Sequence, residues 1–200
     1  MKKLLIGTGN PAKLIDYKRN LSQYGFDFVS PQELKIENPE ETGSTFEDNA
    51  VAKARFYFQK TGIPTVSDDG GFEVDYLHGE PGVKSRRWTG KEMTDEEMIN
   101  EVLSRMKGVP LDQRTCRLKG VIAVSSPFGI MTTNASIEGV VAEEPAAKRI
   151  KGFPFRSIMF LPNYQKYFCD VTDEELKILD HRKAALEKIS DIFVELSKDS

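Results

Sequence analysis

Thr65-Val66-Ser67-Asp68-Asp69-Gly70-Gly71-Phe72-Glu73-Val74-Asp75 is the stretch on which the reading of this chain turns. Residues 65–67 form a short apolar run that reads as a strand and ends in two adjacent carboxylates, followed at once by two glycines. Carboxylates at a strand end, beside a loop with no side chains in the way, suit metal binding and water activation. The glycines let the backbone turn or let a ligand come close. The same residues also describe a solvated Asp-Gly turn between two strands. If the backbone here is extended, Asp68 and Asp69 point to opposite faces. One of them then carries the chemistry, and the other orients it or bonds nearby backbone.

Upstream, Lys3 to Gly7 is an apolar run ending in Gly7-Thr8-Gly9-Asn10-Pro11, with Lys13 just beyond. It reads as a strand, a tight loop and a helix that begins near Pro11 and runs to about Tyr24. Leu14, Tyr17, Leu21 and Tyr24 share one face. Phe26 to Val29 is a second strand and 30–44 a loop. Thr45 caps a helix with Phe46, Ala50, Ala54 and Phe58 on its apolar face, closed by Gly62 and Pro64. Downstream, 77–90 reads as a basic loop and 94–107 as a helix. Two strands, 114–126 and 130–142, form a hairpin about Pro127-Phe128-Gly129. Residues 152–162 read as aromatic-rich and irregular, and 180–197 as one terminal helix. The order predicts an α/β protein with a mixed sheet. We expect one domain over 1–200, with the hairpin 114–142 contributing to a second lobe. Ligands of such sheets sit at the carboxyl ends of strands, where both the loop 8–13 and the pair Asp68-Asp69 are expected to fall.

The 200 residues suffice for one substantial domain, and a net charge of −3 gives no bulk reason for nucleic-acid or membrane binding. No apolar run is long enough to cross a membrane. Cys116 and Cys169 lack metal-ligand spacing and read as reduced thiols. The expectation is a cytosolic, cytoplasmic protein.

Four further groups carry candidate chemistry. The loop Gly7 to Lys13 is neither a Walker loop nor a dinucleotide fingerprint. It nevertheless offers backbone N–H groups, a helix N-terminus, Thr8, Asn10 and Lys13 to an anion. Glu40-Glu41, together with Asp68 and Asp69, supplies oxygen ligands suited to one Mg2+, or else is a solvated acidic loop. His181-Arg182 stands at a helix start and suits a base, a ligand donor or a plain surface role. Phe153 and Phe155 beside Gly152 suit stacking on a planar base, or the core.

Taken together these segments resemble the inosine triphosphate pyrophosphatase (Ham1-like) family. Four blocks carry the match: Thr8-Gly9-Asn10 with Lys13; Glu41-Thr42-Gly43 with Thr45-Phe46, Asn49-Ala50 and Lys53-Ala54; Asp68-Asp69-x-Gly71 through Pro81-Gly82 and Ser85; and Gly152-Phe153 with Ile158, Pro162 and His181-Arg182. The resemblance implies an elongated α/β fold with a central mixed sheet, two lobes with a substrate cleft, and a homodimer. It implies Mg2+-dependent hydrolysis of a small-molecule nucleoside triphosphate (dITP, ITP or XTP) to the monophosphate and pyrophosphate. Asp69 is then the general base and a metal ligand, with Glu40 and Glu41 as further ligands. Thr8, Gly9, Asn10 and Lys13 hold the triphosphate. Phe153 stacks on the base, with Phe155 also at the substrate, and His181 and Arg182 contact the base or its 6-oxo edge.

The sequence departs from the family pattern at three places. Gly70 stands at a substrate position where the family carries Ser. Pro154-Phe155-Arg156-Ser157 replaces Gly-Tyr-Asp-Pro, which reverses a charge. Leu176 occupies the place of a substrate-binding Lys, with Lys177 next to it, and Asp180 replaces a Ser. These departures leave two alternatives: a changed base specificity, or a nucleotide-binding protein that does not hydrolyse its ligand.

Overall fold

The computed structural model describes residues 2–198, so the extreme ends of the expected 1–200 span lie outside the described residues. In chain order the elements are β1 (Lys3–Ile6), α1 (Pro11–Leu21), β2 (Asp27–Val29), α2 (Phe46–Thr61), β3 (Thr65–Val74), α3 (Asp95–Arg105), β4 (Thr115–Ser126), β5 (Gly129–Val141), β6 (Met159–Leu161), β7 (Lys166–Tyr167), α4 (Asp173–Ile178), α5 (His181–Glu187) and α6 (Ser190–Ser197). The seven strands form one sheet in the order β2-β1-β3-β4-β5-β6-β7. It is mixed: β1 pairs in parallel with β2 and β3, whereas β5–β6 and β6–β7 are antiparallel. The α/β expectation holds.

The sequence places several helix ends by capping. Thr45 accepts from the Asp48 N–H while Asp48 answers the Thr45 N–H, and Gly62 closes α2 in the left-handed conformation at φ 68°. Thr94 with Glu97 caps α3 in the same reciprocal way.

The opening stretch is the main correction. Asp68 to Gly71 do not follow a strand as a turn; they lie inside β3, which runs unbroken for ten residues. The parallel partner β1 stops first, its last registered pair being Ile6 with Val66. The carboxylates therefore still stand just past the carboxyl end of β1, while β3 continues alongside β4. Pairing in the sheet overrides the turn preference of Gly70-Gly71. The terminal helix is likewise two helices, interrupted at Lys188 and Ile189, although Leu186, Ile189, Phe193 and Leu196 are all buried as its apolar stripe requires.

Contacts divide the chain into two units. The first holds Met1–Asp69, Gly120–Ala135 and His181–Ser200; the second holds Gly70–Lys119 and Ser136–Asp180. The hairpin is thus shared, its tip belonging to the first unit and its base to the second. The first unit is cored by Leu4, Ile6, Tyr17, Val66, Ile122 and Phe193. The second is cored by Phe72, Met98, Met106, Cys116, Ile158 and Phe168. Cys116 and Cys169 are both unpaired and buried. Among the described residues no helix is long and apolar enough to cross a membrane.

In the second unit Arg114, only 2% exposed, donates to the carbonyls of Met106, Val109, Val141 and Ala142. One guanidinium thus ties the end of α3 to the end of β5. Arg114→Met leaves these carbonyls without donors and should cost about 3 kcal/mol in denaturant unfolding, since each unmet buried group costs about 1–3 kcal/mol. Arg114→Lys should recover only part of that, because an ammonium lacks the planar fork. Unchanged stability in Arg114→Met would remove the bracing role.

Candidate active site

The site is built in the first unit, where β1, α1, α2 and the start of β3 bring charged side chains together. Beyond Ile6 the chain turns at Gly7, whose N–H donates to the Val66 carbonyl at 2.8 Å. A Cβ at Gly7 would lie 2.2 Å from Ser67 Oγ and 2.7 Å from the Tyr57 ring, so no side chain fits there. Asn10 caps α1, its Oδ1 accepting from the N–H groups of Ala12 at 2.9 Å and Lys13 at 3.4 Å. The Asn10 N–H in turn donates to Thr8 Oγ1 at 3.1 Å. The loop thus uses the acceptor oxygens of Thr8 and Asn10 for its own shape. The backbone N–H groups of Asn10, Ala12 and Lys13 are thereby taken up, and the donors left for an anion include the Thr8 hydroxyl and the Asn10 side-chain N–H groups.

Asp68 and Asp69 have different surroundings. Asp68 is 3% exposed, and its Oδ2 takes Lys13 Nζ at 3.0 Å and Arg182 Nε at 3.2 Å. Burial alone would raise its pKa, but the Lys13 and Arg182 charges outweigh burial and hold the carboxyl well below the usual carboxylate range. Asp69 is less enclosed. Its Oδ2 accepts from Asn49 Nδ2 at 2.9 Å, and its Oδ1 stands 4.0 Å from Lys53 Nζ. Burial raises its pKa; Lys53 and Asn49 pull it down and Glu41 pushes it up, leaving it above the ordinary value.

The direction at Asp68 has a consequence for stability. A group whose folded pKa is depressed stabilises above its unfolded pKa and loses that contribution as pH falls toward the folded value. Wild-type stability should therefore fall on acidification below the ordinary Asp value near 3.8. In Asp68→Asn this acid limb should be shallower. Thermal melts from neutral pH downward check this, and parallel acid limbs would refute it.

Asn49 and Lys53, to which the sequence reading assigned no role, stand within the candidate site. Both lie on α2, one turn apart. Asn49 is 4% exposed. Its Oδ1 accepts from the Gly43 N–H at 2.7 Å while its Nδ2 holds Asp69, so one amide joins the acidic loop to the catalytic candidate. Lys53 Nζ lies between Glu41 Oε1 at 2.5 Å and Asp69 Oδ1 at 4.0 Å. The signal available in sequence was two polar side chains at i and i+4 on an otherwise apolar helix face.

Of the two acids in the loop, Glu41 faces Lys53; Glu40 is exposed, with no ion pair among the described residues. Tyr57 donates to Asn38 Oδ1 at 2.8 Å, and burial together with Glu41 pushes its hydroxyl pKa up to about 12. Among the described residues no group of three or more His, Cys, Asp and Glu side chains is arranged to hold a metal ion. The carboxylates of Glu41 and Asp69 nevertheless converge on one positive charge, the Lys53 ammonium. Two hard oxygen donors of this kind fit Mg2+, which completes its shell with water and substrate phosphates rather than with a full protein cage.

His181, the first residue of α5, packs against β4 at Gly120, where a Cβ would lie 2.9 Å from His181 Cδ2. The remaining candidates lie in the second unit. Gly70 is exposed in β3. Phe155 is buried and stacks on Phe72 at 4.7 Å and 10°, which makes it a core residue rather than an open platform. Phe153 is half-buried, with the Arg156 guanidinium 4.5 Å from its ring centroid; the same guanidinium lies 4.6 Å from the Phe168 ring. Lys177 is exposed on α4, and Leu176 packs against the apolar core of this unit.

Residues 4–192 match the sequence model of the Ham1 family. A dITP/XTP pyrophosphatase of Escherichia coli O157:H7 is 36% identical over 195 residues, covering 96% of this chain and 98% of its own length. One from Bacillus subtilis (strain 168) is 37% identical over 195 residues, with the same coverage of 96% and 98%. Among solved structures, a HAM1 protein from Coxiella burnetii superposes with a TM-score of 0.86 at 31% identity, covering 98% of this chain and all of its own.

Proposed function

The chain belongs to the Ham1 family, and on that premise we propose that it hydrolyses nucleoside triphosphates to the monophosphate and pyrophosphate, with dITP, ITP and XTP as substrates. Its role is then to clear non-canonical purine nucleotides from the nucleotide pool. The same reading includes a cytoplasmic homodimer with neither nucleic acid nor membrane as partner, which the sequence resemblance and the charge balance support.

The observation that carries the proposal is the setting of Asp69. Its carboxylate is oriented by Asn49 and Lys53, and its pKa is raised. Asp69 accepts a proton from the attacking water as the water oxygen bonds to phosphorus. The anhydride bond between the α and β phosphates breaks, and pyrophosphate leaves. A base works better as its pKa approaches the working pH, which is the direction of this shift. The donors of Thr8, Gly9, Asn10 and Lys13 bind and orient the triphosphate. Bound by Glu41 and Asp69 together with phosphate oxygens, Mg2+ would supply neutralisation of the phosphate charge. His181 is proposed to contact the base.

One observation favours a changed base preference. The Phe153 ring, to which the resemblance assigns stacking, already carries the Arg156 guanidinium on one side. The test is pyrophosphate release over a panel of ITP, dITP, XTP, dUTP and the four standard triphosphates, with and without Mg2+. Release confined to Mg2+ and strongest with the 6-oxo purines supports the proposal. Release from another base keeps the reaction and changes the substrate. Tight binding without release from any nucleotide by the folded protein overturns the enzymatic reading.

A further inference from the structure

Asp68 is buried, yet its Oδ1 has no hydrogen-bond partner among the described residues. Its charge is met through Oδ2 alone, which holds Lys13 at 3.0 Å and Arg182 at 3.2 Å. The Arg182 side chain is only 13% exposed, and its Nη1 stands 4.0 Å from Asp16 Oδ2, one turn beyond Lys13 on α1. All four residues belong to the first unit. The guanidinium thus faces the carboxylates of β3 and α1, beside the helix whose N-terminus forms the anion loop.

We propose that Arg182 is a positioning residue for the phosphate end of the site. By sharing the single oxygen Asp68 Oδ2 with Lys13, it keeps the Lys13 charge available to a polyphosphate. The inference rests on the proposed triphosphate reading and differs from it in assigning Arg182 to the phosphates rather than to the base. Asp68 meets two cations with one charge, and Asp16 is already paired with Arg19 at 3.1 Å, so the three cations Lys13, Arg19 and Arg182 face two carboxylates and positive charge is left over at Lys13. Without Arg182, Asp68 and Lys13 close into a one-to-one pair, and a polyphosphate must compete with Asp68 for the ammonium.

Inorganic tripolyphosphate has no base and separates the two roles. Calorimetry on the full chain should show Arg182→Met binding tripolyphosphate about tenfold more weakly than wild type. Arg182→Lys should stay near wild type. In the double variant Arg182→Met with Asp68→Asn, binding should recover, because Lys13 is released from its partner. A misfolded Arg182→Met would show in thermal melts, and the other two variants would still decide the matter. Wild-type affinity in Arg182→Met, no recovery in the double variant, or no tripolyphosphate binding by the wild type would each overturn the inference. If tripolyphosphate binds with this Arg182 dependence but no nucleotide is hydrolysed, the inference stands and the enzymatic reading fails.

Discussion

Asp69→Asn is expected to lower the turnover of dITP by about 10²–10⁴-fold, the usual contribution of a positioned general base. Asparagine keeps the shape of the side chain and an oxygen to accept from Asn49 Nδ2, but it cannot take a proton from water. Substrate affinity should therefore change far less than turnover. The fold should not suffer either. The folded pKa of Asp69 is raised, so whatever stability this group contributes is present at low pH and lost as pH rises through the folded value. At neutral pH its ionised form is a burden, and the neutral amide should leave the melting temperature unchanged or higher. Pyrophosphate release and calorimetric melts test the two parts separately. Turnover near the wild-type rate would exclude Asp69 as the base.

Lys53→Met is expected to move the acid limb of the pH–rate profile to higher pH. Lys53 is the strongest influence lowering the Asp69 pKa, while Glu41 raises it. With the ammonium gone, Glu41 and Asp69 keep only the Mg2+ proposed to bind there as a counter-charge. Loss of a close opposite charge moves a carboxyl pKa upward. On the acid side of the profile the variant should lose rate, and part of this should return as the pH is raised. Lys53→Arg should retain most of the charge effect. An acid limb at the wild-type position in Lys53→Met would mean that Lys53 does not tune Asp69.

Much of the fold was legible because its signals are local. Capping at Thr45 and at Gly62 marked both ends of α2, and Pro127-Phe128 marked the hairpin. The strand β3 was misjudged at Gly70 because the pairing that holds glycines extended comes from β4, remote in sequence. Helix α4 escaped notice although Thr172 and Glu175 form a complete capping box. In the site, the loop 8–13 and the acids were readable as residue types with an expected chemistry. The division of labour between Asp68 and Asp69 was implied only by the family resemblance and not by the residues themselves, since it depends on Arg182, 114 residues away, and on Asn49, 20 residues away. The burial of Phe155 against Phe72 was equally out of reach, because an aromatic run reads alike whether it lines a pocket or fills a core.

The crowding at Gly7 bears on how this protein can change over time. The nearest obstacles there are the oxygen of a buried serine and a tyrosine ring that is itself fully enclosed, so neither has room to retreat. At Gly9 the nearest obstacle is the amide of an exposed asparagine, 2.6 Å away, which can swing aside at the cost of its bond to Tyr57. Within one short loop, the first position is closed to variation by every available neighbour, while the third is open to drift if Asn38 changes with it. New ligand preferences at the phosphate end can therefore arise by paired substitution at 9 and 38, but not through position 7.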